Sequence, residues 1–141
     1  MKNILKTSFP ALTRNEALAR GVAAQFCMLF DPTVEELSDV RTAVSEAVTN
    51  AVIHGYGQNG GTVFMELCAE GDLLTVTVRD EGRGIEDIEL ARRPFYTSMP
   101  EAERSGMGFS VMEAFMDSVD VLSEKGRGTT VIMRKRIGKD G

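Results

Sequence analysis

Two segments of alternating apolar residues, joined by a two-residue turn, constrain this fold more than any other feature of the sequence. The apolar residues stand at every second position: Val63, Met65, Leu67, Leu74, Val76 and Val78. Between the segments lies Gly71-Asp72, and a glycine in the first position suits a type II′ turn. So short a connection permits only antiparallel pairing, because parallel strands need a crossover of a dozen or more residues. The sequence therefore predicts a β-hairpin.

Helices surround this hairpin in the sequence. A T-x-x-E capping box of Thr33 and Glu36 begins a helix that is predicted to continue to Gly55. An earlier helix is predicted from apolar residues spaced by three or four positions: Leu18, Val22, Phe26 and Leu29. Further helices are predicted over 86–92 and 107–116, and further strands over 4–9, 119–123 and 129–137. Strands and helices in blocks indicate an α+β fold, a two-layer sandwich of a mostly antiparallel sheet with helices on one face.

The composition indicates one domain over residues 1–141, in which 43% of residues are hydrophobic and 26% charged. Lys and Arg number 16 against 21 Asp and Glu, so the net charge is −5, and no basic run is long enough to follow a phosphate backbone. Cys27, Cys68 and a single histidine encode neither a zinc site nor a disulfide framework. No apolar run reaches the length of a signal peptide or membrane span. We expect a cytoplasmic protein that binds neither nucleic acid nor membrane.

The helix that ends at Gly55 carries polar residues at four-residue spacing, which places them on one slowly drifting stripe: Glu46, Asn50 and His54. A carboxylate such as Glu46 can accept a proton from a nucleophile, and the amide oxygen of Asn50 is a hard ligand that suits Mg²⁺. The same stripe is also typical of the solvated side of an amphipathic helix. The pattern by itself leaves both interpretations open.

Three glycine-containing segments stand at junctions between predicted elements. They are Asp80-x-Gly82-x-Gly84, Gly106-x-Gly108 and Gly128-Thr129-Thr130. In the first, a carboxylate at a strand end can accept a hydrogen bond from the amino group of a flat ligand. In the second, free N–H groups at a helix start favour a phosphate. Taken singly, the first segment is also typical of a turn, the second of a helix N-cap and the third of an ordinary strand.

All these segments occur in one chain, in order, and together with Glu46-x-x-x-Asn50 they resemble the boxes of the GHKL ATPase and kinase superfamily, which includes gyrase, Hsp90, histidine kinases and MutL. Three longer stretches are similar to the small serine-protein kinases of that superfamily that control a sporulation sigma factor: SEAVTNAVIHGY (45–56), VRDEGRGI (78–85) and ERSGMGFSVMEAFMD (103–117). The resemblance implies a Bergerat-type ATP-binding fold. Since 141 residues leave no room for the additional domains of the larger members, we expect a kinase that acts on a separate protein.

The resemblance also implies roles for the matched residues. Glu46 would be the general base, and Asn50 would bind Mg²⁺ between the phosphates of ATP or ADP. Residues 93–105 would form an ATP lid, from which Arg104 would reach the γ-phosphate.

The adenine amino group would be bound by Asp80, with Thr130 supporting that contact. The other nucleotide-binding residues implied by the resemblance are Gly82, Gly84, Gly106, Gly108 and Thr129.

Partner proteins are implied as well, because members of this group act as homodimers that hold a sigma factor and phosphorylate a serine of an anti-anti-sigma protein. Arg14, Glu16 and Arg20 form a charged patch on the first helix, which is either a partner contact or a solvated face. Three alternatives remain open: a stress-response anti-sigma kinase, a nucleotide-dependent binding module that transfers no phosphate, and an isolated histidine-kinase catalytic domain.

Overall fold

The computed structural model describes residues 2–57, 59–85 and 108–138, whose five strands form one antiparallel sheet. The strands are β1 (Lys2–Pro10), β2 (Thr62–Glu70), β3 (Leu73–Asp80), β4 (Ser118–Glu124) and β5 (Gly128–Arg136). Their order across the sheet is β1-β2-β3-β5-β4. The predicted hairpin is β2–β3, in which Glu70 is paired with Leu73. The α+β class with an antiparallel sheet is confirmed.

The helices pack side by side, with the second between the first and the third. They are α1 (Asn15–Cys27), extended by a 3₁₀ turn (Met28–Phe30); α2 (Val34–Thr49), extended by a π-helical turn (Asn50–Gly55); and α3 (Gly108–Phe115). The predicted capping box begins α2: Thr33 Oγ1 accepts from the Glu36 amide at 3.0 Å, and a Glu36 carboxylate oxygen accepts from the Thr33 amide at 2.9 Å.

The hydrophobic core lies between the helices and one face of the sheet. Its fully buried members include Val40, Val44, Val48, Val63, Met65, Leu67, Leu74, Val76 and Met133. Successive side chains of a strand point to opposite faces, so the alternation that buries Val76 and Val78 also directs Asp80 to the core side at the end of β3. The fold therefore places a carboxylate at the margin of the core.

The buried face of α1 differs from the prediction. Leu18 is 56% exposed and Leu29 is 61% exposed, and Val22 packs only at the margin of the core. The buried residues of α1 are instead Ala19, Ala23, Phe26 and Cys27. Alanine side chains let α1 lie close to α2, and this packing outweighs the hydrophobicity of the two leucines. The predicted stripe therefore reaches the core at Phe26 and, at its margin, at Val22, but not at Leu18 and Leu29.

Four predicted features lie outside the described residues: the helix over 86–92, the ATP lid over 93–105, Arg104 and Gly106. The first strand begins two residues earlier than predicted, and the last two strands are confirmed as β4 and β5. No helix in the described part of the chain is long and apolar enough to span a membrane.

Candidate functional site

Hydrogen bonding changes from α-helical to π-helical at the C-terminal end of α2, where the sequence predicted a regular helix to Gly55. The Tyr56 amide donates to the carbonyl of Ala51, five residues earlier, at 3.1 Å. Such wide turns are frequent at functional sites. Two buried side-chain atoms here have no hydrogen-bond partner within the described residues, Oδ1 of Asn50 and Nε2 of His54. Because an unpaired buried polar atom is costly, both indicate a place for a ligand.

Glu46 lies one helical turn before Asn50 and is half-buried. Burial raises the pKa of its carboxyl group, and the negative charge of Glu16 on α1 raises it further. Within the described ranges, Glu46 makes no hydrogen bond or ion pair. A carboxylate with a raised pKa and free lone pairs has the properties of a general base.

Asp80 lies at the end of β3 with only 6% of its surface exposed. One carboxylate oxygen accepts a hydrogen bond from the Gly82 amide at 2.9 Å. Burial raises the pKa of Asp80, whereas backbone hydrogen bonds from Gly82 and Thr129 act to lower it. A carboxylate has about four lone-pair positions, so Asp80 keeps acceptor capacity for a ligand.

Hydrogen bonds fix the loop after β3 to the loops on either side of it. The Arg83 amide donates to the Gly55 carbonyl at 2.9 Å, and Arg83 Nε donates to the His54 carbonyl at 2.8 Å. On the other side, the Gly126 amide donates to the Arg83 carbonyl at 2.7 Å. The end of α2, the loop after β3 and the β4–β5 turn therefore form one connected wall of the site.

Glycine is required where these loops meet, because their backbones touch. A Cβ on Gly82 would overlap the carbonyl oxygen of Gly55, and one on Gly128 would overlap the carbonyl oxygen of Asp80. Gly128 also has a φ of +115°, which residues with a side chain rarely adopt. A Cβ on Gly84 would overlap the Glu124 carbonyl oxygen. The glycines thus let three loops pack closely around Asp80.

The β3–β5 register decides which threonine faces the site. Asp80 is paired with Thr129, so both lie on the helix side of the sheet, and Thr129 is 8% exposed. Its hydroxyl is 2.8 Å from the hydroxyl of Ser123. Thr130 is paired with Arg79 on the opposite face. Thr130, which was predicted to support Asp80, therefore points away from it, and Thr129 is the threonine on the same face as Asp80.

The start of α3 lies against Asn50. A Cβ on Gly108 would come within 2.7 Å of Asn50 Nδ2, so the two predicted boxes meet in space. The first N–H groups of a helix have no partner within it and favour an anion. The buried, unpaired Oδ1 of Asn50 fits a hard cation such as Mg²⁺.

That cation would need more ligands than the described residues supply. Among the described residues there is no cluster of three or more His, Cys, Asp or Glu side chains that could hold a metal ion. Phosphate oxygens of a bound nucleotide are suitable additional ligands, because Mg²⁺ is usually bound by one or two protein groups together with substrate phosphates.

The predicted charged patch on α1 is divided by the structure. Arg14 is exposed at the start of the helix. Glu16 and Arg20 face α2 instead: Glu16 accepts a hydrogen bond from Ser45 Oγ at 2.5 Å, and its carboxylate lies 3.5 Å from the Arg20 guanidinium. Arg20 also lines a cavity together with Glu46. Two of the three residues therefore border the candidate base.

Sequence reasoning missed two side chains that hold the site together. The Tyr56 hydroxyl accepts a hydrogen bond from the Glu81 amide at 2.7 Å, and the Ser123 hydroxyl accepts one from the Ile85 amide at 2.7 Å. A single tyrosine after a glycine and a serine within a strand form no local pattern, so no sequence signal marks them.

The fold and the site together define a histidine kinase-like ATPase domain. Residues 9–135 match the family model of that description. The structure is similar to the RsbU and RsbW domains of Rv1364c from Mycobacterium tuberculosis, with a TM-score of 0.72 and 19% identity over 99% of this chain and 34% of that one. It is also similar to the catalytic domain of histidine kinase ThkA, with a TM-score of 0.59 and 15% identity over 94% of this chain and 96% of that one. Such a domain implies nucleotide binding.

Curated relatives define the family more narrowly. An anti-sigma F factor of Clostridium acetobutylicum is 54% identical over 136 residues, which are 96% of this chain and 95% of the relative. Another, from Oceanobacillus iheyensis, is 49% identical over 140 residues, covering 99% and 96% of the two chains. This chain belongs to the anti-sigma F factor family.

Proposed function

We propose that this protein is an ATP-dependent serine-protein kinase and anti-sigma factor, which sequesters a sporulation sigma factor and phosphorylates a serine of the anti-anti-sigma antagonist. One observation carries the kinase activity: the half-buried carboxylate of Glu46 lies one helical turn from the buried, unpaired Oδ1 of Asn50. A proton acceptor therefore stands next to a site that fits a cation and phosphates. The name of the relatives, anti-sigma F factor, supports the regulatory half.

The nucleotide is bound between the loops around Asp80 and the start of α3. The Asp80 carboxylate accepts a hydrogen bond from the adenine amino group, and Thr129 stands beside it. Gly82 and Gly84 let the loop backbone close around the base. The remaining contacts come from the N–H groups at Gly106 and Gly108, which bind the phosphates.

Phosphate transfer needs one proton acceptor and a site that balances the charge of the phosphates. Glu46 accepts the proton of the substrate serine hydroxyl while the serine oxygen forms a bond to the γ-phosphorus. The bond from that phosphorus to the leaving oxygen of ADP breaks. Asn50 would hold Mg²⁺, which would supply charge neutralisation for the phosphates. Arg104 binds the γ-phosphate from the lid over residues 93–105, and both belong to this proposal through the sequence resemblance.

Regulation occurs through protein partners. We place the protein in the cytoplasm as a homodimer without direct contact to nucleic acid or membrane, and the net charge of −5 supports the absence of DNA binding. The exposed Arg14 and the α1 residues Glu16 and Arg20 contact the sigma factor or its antagonist.

Incubation with γ-labelled ATP, Mg²⁺ and the anti-anti-sigma protein encoded by the same genome tests the kinase activity. We expect acid-stable label on one serine of that protein. Absence of label despite ATP binding would leave a nucleotide-dependent binding module, and acid-labile label would indicate phosphohistidine chemistry instead.

The Asp80→Asn variant tests the adenine contact. Asn has the same shape, but its amide group has one acceptor oxygen, which the Gly82 amide occupies, and its NH₂ group would face the adenine amino group. We expect ATP and ADP affinity to fall about 10-fold to 100-fold in calorimetric titration. Asp120→Asn, an exposed carboxylate on β4, is the matched control and retains wild-type affinity. Equal affinity of Asp80→Asn and wild type would exclude this contact.

Glu16 is expected to influence the pH dependence of phosphate transfer. The negative charge of Glu16 raises the pKa of Glu46, so removal of that charge lowers the pKa. Because a general base acts only when it is deprotonated, Glu46 then stays active at lower pH. The Glu16→Gln variant retains a side-chain oxygen that can accept the hydrogen bond from Ser45. We expect it to move the acidic limb of the pH profile of the single-turnover rate to lower pH. Glu35→Gln, in the first turn of α2, is the control with an unchanged limb. A limb that stays in place or moves to higher pH in Glu16→Gln would contradict the coupling.

A further inference from the structure

A polar cleft between α1 and α2 leads to Glu46 from the side of the first helix. Its cavity measures about 300 Å³ and is lined by Arg20, Ser38, Arg41, Thr42, Ser45 and Glu46. The five residues from α2 recur at spacings of three and four, so they form one polar face of that helix. Ser38 lies at the N-terminal end of this face and Glu46 at the C-terminal end. A segment of a partner protein that lies in this cleft would pass the candidate base.

One arginine of the cleft has no acidic partner among the described residues. Arg20 forms an ion pair with Glu16, whose carboxylate also accepts a hydrogen bond from Ser45. Arg41 is exposed and forms no hydrogen bond or ion pair with any of the described residues. In a chain with a net charge of −5, an unpaired arginine at the mouth of a cleft favours an acidic ligand group.

The spacing along α2 indicates where this acidic group lies in the ligand. Arg41 and Glu46 are five residues apart, which is about 7.5 Å along the helix axis and about 140° around it. An extended peptide advances about 3.3 Å per residue, so the axial rise alone corresponds to about two residues, and the angle between the side chains adds to the distance. A serine at Glu46 and an acidic side chain at Arg41 are therefore about two to four residues apart in sequence.

We propose that Arg41 determines the specificity of this site for its protein substrate, by binding an acidic side chain located about two to four residues from the acceptor serine. This inference rests on the proposed kinase function. The planar guanidinium of Arg41 binds the carboxylate through two parallel hydrogen bonds, a geometry that lysine does not offer. Arg41 does not touch the reacting atoms, so it acts through substrate binding and leaves the chemical step unchanged.

Steady-state kinetics with ATP and the anti-anti-sigma protein separate these two effects. For Arg41→Ala we expect the KM for the protein substrate to rise about 10-fold, with kcat and the KM for ATP unchanged, because binding is lost equally in the ground state and the transition state. Arg41→Lys should fall between Arg41→Ala and wild type. Arg134→Ala is the matched control, because it removes an arginine from the face of the sheet that points away from the helices. We expect its kcat and both KM values to equal those of wild type.

A charge exchange identifies the partner group. Each acidic residue within four positions of the acceptor serine is replaced in turn by lysine, and each substrate variant is assayed with wild-type kinase and with Arg41→Glu. We expect one lysine variant to be a poor substrate for the wild type and to be restored by at least 10-fold with Arg41→Glu. Restoration by none of the variants would overturn the proposal, as would an unchanged substrate KM in Arg41→Ala.

The wild-type reaction keeps the two hypotheses distinguishable. If wild-type protein binds ATP but labels no serine, the kinase function fails, and the inference about Arg41 fails with it. If wild-type protein labels the serine and Arg41→Ala does so with the same KM and kcat, the kinase function stands and only the role of Arg41 is excluded.

Discussion

Glu46→Gln is expected to lower the single-turnover rate of phosphate transfer about 100-fold to 10,000-fold while ATP affinity stays within about 2-fold of wild type. The amide has nearly the shape of the carboxylate but cannot accept a proton from the serine. Glu46 makes no hydrogen bond or ion pair among the described residues, so the substitution breaks no contact of the fold there. Rapid-quench measurement with labelled ATP and the protein substrate gives the rate, and calorimetry gives the affinity.

Glu35→Gln serves as the control, since Glu35 lies on the same helix but is exposed in its first turn. Its transfer rate should equal that of wild type. A near wild-type rate in Glu46→Gln would remove Glu46 from the mechanism. A large loss of ATP affinity in that variant would place Glu46 in nucleotide binding instead.

Gly82→Ala is expected to destabilise the protein and to weaken ATP binding at the same time. The added methyl group would overlap the carbonyl oxygen of Gly55, which also accepts the Arg83 amide, so the backbone of one loop must move. We expect the free energy of unfolding to fall by about 1–3 kcal/mol and ATP affinity by more than about 10-fold. The affinity falls because the Gly82 amide, which orients the Asp80 carboxylate, is displaced.

Gly21→Ala is the matched control within the same chain. Gly21 lies in α1 with nothing within 4 Å of an added Cβ, so alanine should stabilise the helix by roughly 0.5–1 kcal/mol and leave ATP affinity unchanged. Urea denaturation measures the change in the free energy of unfolding of each variant, and calorimetry measures its ATP affinity. If Gly82→Ala behaved like Gly21→Ala, close contact between the two loops would not be a requirement of the site.

The elements that the sequence predicted correctly are those with local causes. The β2–β3 hairpin follows from residues 62–79 alone, because alternation and a two-residue turn act over short distances. The start of α2 follows from Thr33 and Glu36, which hydrogen-bond to each other across three residues. The site residues stay a prediction, which the sequence allowed because each box is a short motif complete within a few residues.

Predictions that depended on the pairing of distant segments were less successful. Thr129 and Thr130 are equivalent in the sequence, and only the pairing of β3 with β5 places the first beside Asp80 and the second on the other face. The apolar stripe of α1 correctly predicted a helix, but Leu18 on that stripe is exposed because contact with α2 selects the alanine face.

By itself, the sequence determined the antiparallel hairpin, the capped α2, the order of the nucleotide boxes and the family resemblance. The hairpin and the capped helix arise from interactions between near neighbours, and the boxes and the resemblance are read directly from the residues. Only the tertiary structure decided the π-helical turn at Asn50, the position of Thr129, and the packing of α1 on α2 that brings Glu16 and Arg20 close to Glu46. These depend on how helices and strands far apart in sequence pack, and packing is set by the shape of whole surfaces rather than by any local pattern.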